Sequence, residues 1–188
     1  CALHPSLKVE MRLENRFVDL VEEGIDLAIR TGTMPDSSLI ARPIFDSRWV
    51  IVCSPGYLES HPEPRSAEDL LGHNCLTYTY QESGTANWLM KRPGRNEIYE
   101  LQVNGNLSAN NARAIRKAVI GGHGIAMVPR CMVYEDLQDG KLTEILAGHC
   151  GKVLGIYAVY PYTRNLPLKT RLLIEHIIGS YQNISHYF

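Results

Sequence analysis

Apolar and polar residues alternate strictly over residues 7–13, Leu-Lys-Val-Glu-Met-Arg-Leu, which predicts a half-buried strand. Asn15 then stands where a helix cap would. Phe17, Leu20 and Val21 follow at helical spacing, and Gly24 closes the segment. Residues 26–30 form a short apolar run cut off by Thr31-Gly32-Thr33. The opening therefore reads strand, helix, strand, the unit of a parallel sheet.

The same reading continues along the chain. Residues 39–44 and 48–53 are two extended segments, and Ser54-Pro55 opens a short helix. Ser66 and Asp69 have capping-box spacing at a further helix start, and residues 75–80 form the next strand. Pro93-Gly94 separates two alternating runs, 88–91 and 97–103, as in a hairpin. Ala112, Ile115, Ala118 and Val119 share one helical face that ends at Gly121-Gly122. A buried strand (125–128), a helix (132–137), a strand (142–146) and a long strand (153–160) follow. Pro167 begins a last helix whose apolar stripe is Leu173, Ile174, Ile177 and Ile178. The order is mixed α/β throughout, and in open α/β sheets ligands bind outside the C-terminal ends of the strands.

At 188 residues the chain is long enough for one domain or two small lobes. Its formal net charge of −1, with both signs interspersed, argues against the basic stripe of a nucleic-acid-binding surface. No apolar run approaches the roughly 18–20 residues that span a bilayer. Cys1, Cys53, Cys75, Cys131 and Cys150 are odd in number and scattered, which suits reduced thiols better than a disulfide framework.

Candidate chemistry is sparse. The histidines are scattered, so no metal site is expected, and neither a Gly-x-Ser-x-Gly elbow nor a phosphate loop is present. Gly122-His123-Gly124 lacks the third glycine of a dinucleotide fingerprint, and it leaves a helix to enter a strand. It reads as a tight turn, with His123 solvated. Glu135 and Asp136 read as solvated carboxylates on a helix face. The positive signals are three helix starts after extended segments: Asn15-Arg16, Pro55-Gly56 and Asn110-Asn111. Free N–H groups at such places favour anions such as carboxylates, although each alone is an ordinary cap.

One set of blocks carries more. Residues 16–30, Arg-Phe-Val-Asp-Leu-Val-Glu-Glu-Gly-Ile-Asp-Leu-Ala-Ile-Arg, resemble a signature of LysR-type transcriptional regulators. Residues 36–42, 54–58, 68–73, 118–129, 156–161 and 164–171 continue the match in order over nearly the whole chain. The resemblance is to the effector-binding domain. It implies an α/β, two-lobed fold like that of type 2 periplasmic binding proteins, with two crossover strands, expected near residues 50–53 and 157–160. Lobe I would be residues 1–51 plus 159–188, and lobe II residues 52–158. The winged helix-turn-helix is not in this chain, so DNA would be bound only through it. The family's first effector-domain strand also has no counterpart before Cys1.

The resemblance further implies a small-molecule effector in an inter-lobe cleft, no cofactor, no metal, no catalysis, no membrane, a homodimer or homotetramer, and a cytoplasmic location. Carried over by position, the cleft walls would include Asn15, Arg16, Arg30, Thr31 and Gly32. Cys53 and Ser54 would sit beside a crossover. Asn110 and Asn111 would offer helix N-terminal donors, and Val128 and Pro129 would line the far wall. Arg30 reads either as a bidentate partner of a carboxylate effector or as one half of an ion pair with a neighbouring acid. A solute-binding protein of the same fold is the alternative function, and an enzyme built on it is a third.

Overall fold

The structure is a computed structural model that describes residues 7–14, 18–32, 38–79, 86–95 and 97–188. In chain order the elements are β1 (Ala28–Thr31), β2 (Leu39–Cys53), α1 (Pro55–Ser60), β3 (Cys75–Tyr78), β4 (Asn87–Lys91), β5 (Ile98–Gln102), β6 (Ser108–Ala109), α2 (Ala112–Ile120), β7 (Ile125–Pro129), α3 (Arg130–Gln138), β8 (Thr143–Ile145), β9 (Val153–Pro161) and α4 (Leu168–Asn183). The chain divides into two compact units. Unit 1 is Cys1–Asp46 with Leu154–Ser185, and unit 2 is Ser47–Val153 with His186–Phe188. Both internal boundaries fall in strands, one within β2 and one at the start of β9. The two extended segments expected at 39–44 and 48–53 are one continuous strand, β2.

Unit 2 holds the larger described core. The end of β2, Trp-Val-Ile-Val-Cys, is apolar at every position and buried on both faces. One face packs Val50 and Val52 with Leu76, Ala126 and Val128 against Ile115 and Val119 of α2 and Val133 of α3. Full burial of each such side chain is worth roughly 1.5–3 kcal/mol. The strand order is β2-β7-β3-β6, with β8 also on β2. β7 and β8 run antiparallel to β2, whereas β3 is parallel to both β7 and β6.

α2 forms where the spacing places it. Asn111 caps it by accepting from the N–H groups of Arg113 and Ala114. It ends in a Schellman turn, with His123 N–H bonded to Ala118 O and Gly122 N–H to Val119 O, and Gly122 has φ +77°. Gly124 is required by close approach: a Cβ there would stand 2.2 Å from Asn74 O. The glycine turn is thus a helix-to-strand connector. The capping box also forms, with Ser66 Oγ accepting from Asp69 N–H and Asp69 Oδ2 from Ser66 N–H, although the helix it opens is a 3-10 turn, Glu68–Gly72. The hairpin β4–β5 pairs antiparallel and buries Trp88 and Met90.

Asp136 departs from expectation. It is buried rather than solvated, and it takes a bidentate ion pair from Arg116, whose Nη2 lies 2.6 Å from Oδ1. The helical spacing put Asp136 on α3 but could not show that α2 covers it.

In unit 1 the expected parallel unit does not form. β1 pairs antiparallel with β9, Ala28 opposite Val159 and Thr31 opposite Ile156. Residues 7–14 have no strand hydrogen bonding, and Val9, Met11 and Leu13 are exposed. Alternation alone does not satisfy backbone N–H and C=O groups; a partner strand must. The expected helix before Gly24 is a single turn over its described residues. Asp19 accepts from Val21 N–H and Glu22 N–H, and Gly24, at φ +63°, ends it where expected. Leu20 is its buried anchor. α4 buries Thr170 and Ile174, and Lys169 reaches Asp26 at 2.8 Å.

Candidate functional site

The parallel strands of unit 2 bring several of the expected site residues together. Tyr78 lies opposite Ala109, and Cys75 opposite Ile125, so β3, β6 and β7 end on one side. Asn110 and Asn111 follow β6 at that end, and Val128 and Pro129 close β7 there. β2 runs the other way, so its Trp49, paired with Pro129, arrives at the same end. Trp49 stacks on Tyr78 with ring centroids 5.7 Å apart. Lys152 places its ammonium 4.0 Å from the Trp49 ring centroid, and its backbone carbonyl accepts from Trp49 N–H. Trp49, Tyr78 and Lys152 escaped the sequence reading because they are far apart in the chain and share no motif.

The donors expected of α2 are partly spent. Two first-turn N–H groups already bond the Asn111 side chain. This end of unit 2 thus brings together an aromatic pair, the Lys152 cation over it and the capped start of α2.

Cys53 and Ser54 lie elsewhere. Cys53 pairs with Thr143, four residues along β2 from Trp49, or roughly 13 Å at strand rise. Ser54 caps α1 by accepting from Tyr57 N–H. It lines an open pocket of about 520 Å³ with Gly56, Ile120, Gly122 and Lys141. Cys53 is fully buried, and burial, with a smaller push from Glu63, raises its thiol pKa to about 11. Burial likewise raises Cys75 to about 12 and Cys150 to about 11, and holds Cys131 above its ordinary value. These four are free thiols and stay protonated near neutral pH.

In unit 1, Arg30 donates from Nη2 to Val18 O at 2.5 Å, a backbone carbonyl that neither sequence reading named. Thr31 ends β1, and Gly32 bonds Gly155 O at 3.0 Å with φ +103°. Asn15 and Arg16 lie outside the described residues. No group of three or more His, Cys, Asp or Glu among the described residues could hold a metal ion. No helix among them is long and apolar enough to cross a membrane.

A family model for the LysR substrate binding domain matches residues 1–182. The chain belongs to this family. It is 34% identical to the regulator PtxR of Pseudomonas aeruginosa over 92% of this chain and 54% of that protein. It is 30% identical to the regulator CrgA of Neisseria meningitidis over 96% of this chain and 59% of that one. Both are HTH-type transcriptional regulators, and the chain spans little more than half the length of such curated relatives. Among solved structures, full-length AphB, a Vibrio cholerae virulence activator, superposes with a TM-score of 0.82 at 32% identity, over 95% of this chain and 60% of that one. The regulatory domain of AphB from Vibrio vulnificus gives 0.79 at 31% identity, with 95% and 87% covered. The fold is therefore the mixed α/β fold of LysR-type regulatory domains, consistent with the two-lobed binding-protein-like architecture.

Proposed function

We propose that this chain is the sensing half of a transcriptional regulator, taking a small organic acid as effector and controlling DNA contacts made outside the chain. The observation that supports this reading is the coverage: the chain accounts for 87% of a relative's regulatory domain but only 60% of a full-length one. Residues 1–51 plus 159–188 would form lobe I and residues 52–158 lobe II. On this reading the effector-contacting surfaces are the Asn110, Asn111, Val128 and Pro129 end of unit 2 and the Arg30, Thr31 and Gly32 end of β1. Cys53 and Ser54 would act through β2 and α1 rather than by touching the ligand. The assembly would be a homodimer or homotetramer in the cytoplasm. An effector changes such an assembly only through different affinities for its arrangements.

The test is a thermal-shift screen against aromatic acids, dicarboxylic acids and amino acids. A ligand at a hundred times its Kd adds about 2.7 kcal/mol, a rise of about 5–10 °C for a chain of this size. The expected hit is an acid whose shift shrinks in Thr31→Ala and in Asn111→Asp. A chain that no acid stabilises would sink the proposed effector class.

A further inference from the structure

Two glycines face each other where β1 runs out. The β1–β9 register sets Arg30 opposite Tyr157 and Thr31 opposite Ile156, and one step further Gly32 N–H bonds Gly155 O at 3.0 Å. Residues directly opposite share a sheet face, and so do residues two apart along a strand. Arg30, Gly32, Gly155 and Tyr157 therefore lie on one face of unit 1. At the level of Gly32 and Gly155 that face has no side chain of its own.

Tyr157 fills the gap. A Cβ on Gly155 would stand 2.5 Å from both Cε2 and the hydroxyl oxygen of Tyr157. The ring is thus folded back along β9 over the glycine, and its hydroxyl reaches the level of Gly32. Any larger residue at position 155 would hold the ring off. Arg30, across from Tyr157, already donates to Val18 O. The Tyr157 hydroxyl bonds no described residue. Among the described residues the one buried side-chain polar atom without a partner is Trp49 Nε1, so the Tyr157 hydroxyl is reached by solvent. It is a donor held in place by a partly buried ring, at the Thr31–Gly32 end of β1.

We propose that the Tyr157 hydroxyl donates a hydrogen bond to an oxygen of the effector, and that Gly155 is the positioning residue that lets the ring lie there. The inference rests on the reading of the chain as an effector-binding domain for a small organic acid. It adds a contact on β9 to those expected on β1.

The test uses the intact 188-residue chain, titrated calorimetrically with benzoate, succinate and glutamate. At least one acid should bind saturably to the wild type. Tyr157→Phe keeps the ring and removes only the hydroxyl. It should weaken that acid tenfold or more, as the loss of a hydrogen bond to a charged group does, with the thermal midpoint of the free chain unchanged. Gly155→Ala should weaken it too, by displacing the ring. The double variant should be no weaker than Tyr157→Phe alone, because the glycine acts only through the tyrosine. Losses that add in the double variant would overturn the role of Gly155. An acid that Tyr157→Phe binds as tightly as the wild type, while Thr31→Ala weakens it, would overturn the Tyr157 contact and leave the effector site standing. No binding of any acid to the wild type would overturn the acid reading, and this inference with it.

Discussion

Residues 7–13 and β5 carry similar patterns and meet different fates. Residues 7–13 alternate strictly, and in β5 Tyr99 and Leu101 share the less exposed face while Ile98 joins Glu100 and Gln102 on the other. β5 pairs with β4 along five residues, whereas no described strand pairs with residues 7–13, and Met11 and Leu13 stand in solvent. The difference is the source of the partner. The Pro93-Gly94 turn, with Gly94 at φ +74°, folds β5 back on a strand from the same stretch of chain. Among the described residues no such turn adjoins the earlier segment, and no strand from its own stretch of chain pairs with it. Alternation sets which face of a strand is apolar; pairing decides whether there is a strand.

The comparison can be broken most sharply at buried residues. Trp88, on β4, is 4% exposed, and Trp88→Ala should cost about 3–5 kcal/mol in urea unfolding. Leu13, at 88% exposed, should tolerate Leu13→Ser within about 0.5 kcal/mol. A cost above 1 kcal/mol at Leu13 would mean that the segment has a partner in solution, and the contrast would fail.

A smaller effect sharpens the comparison through charge. Lys169–Asp26 in unit 1 is an exposed ion pair, while Arg116–Asp136 in unit 2 buries the carboxylate. Breaking the exposed pair should change stability by less than about 1 kcal/mol. Arg116→Ala strands a buried carboxylate, and because the arginine itself is partly exposed, about 2–4 kcal/mol is expected by the same unfolding measurement.

The smallest effect depends on pH. His73 Nδ1 sits 3.0 Å from the Tyr57 hydroxyl, and burial, with the nearby His61, holds the His73 pKa below its ordinary value. Asp69 opposes that shift in part. The unfolded chain therefore takes up this proton first as pH falls. The His73 contribution is full above about pH 6.5, the unfolded value, and is lost as pH drops toward the folded one. Thermal unfolding from pH 8 to 5 should show a stability decline over that window, and His73→Gln should flatten it. An unchanged slope in that variant would remove His73 as its source.

Most of the elements were legible because their signals are local. The Asn111 cap, the Gly121-Gly122 stop, the Ser66–Asp69 box and the Pro93-Gly94 turn each act within a few residues, and each formed. The misreadings are non-local. The parallel unit expected around β1 does not form because residues 7–14 join no strand, while β1 pairs antiparallel with β9, more than a hundred residues further on. Asp136 is buried because α2 brings Arg116 over it. Of the expected site residues, Asn110, Asn111, Val128 and Pro129 share one end of unit 2, while Cys53 and Ser54 lie far along β2 from it. Spacing in the sequence carries no information about which way β2 runs past β7.

What the sequence determined by itself was therefore the family, the order of the elements and the turns between them, since these rest on short-range backbone chemistry and on block-by-block likeness. The tertiary structure alone decided which strands pair, which charges lose water and which rings stack. It brought Trp49, Tyr78 and Lys152 together from three distant stretches of chain, because burial and hydrogen-bond pairing are satisfied across space, not along the chain.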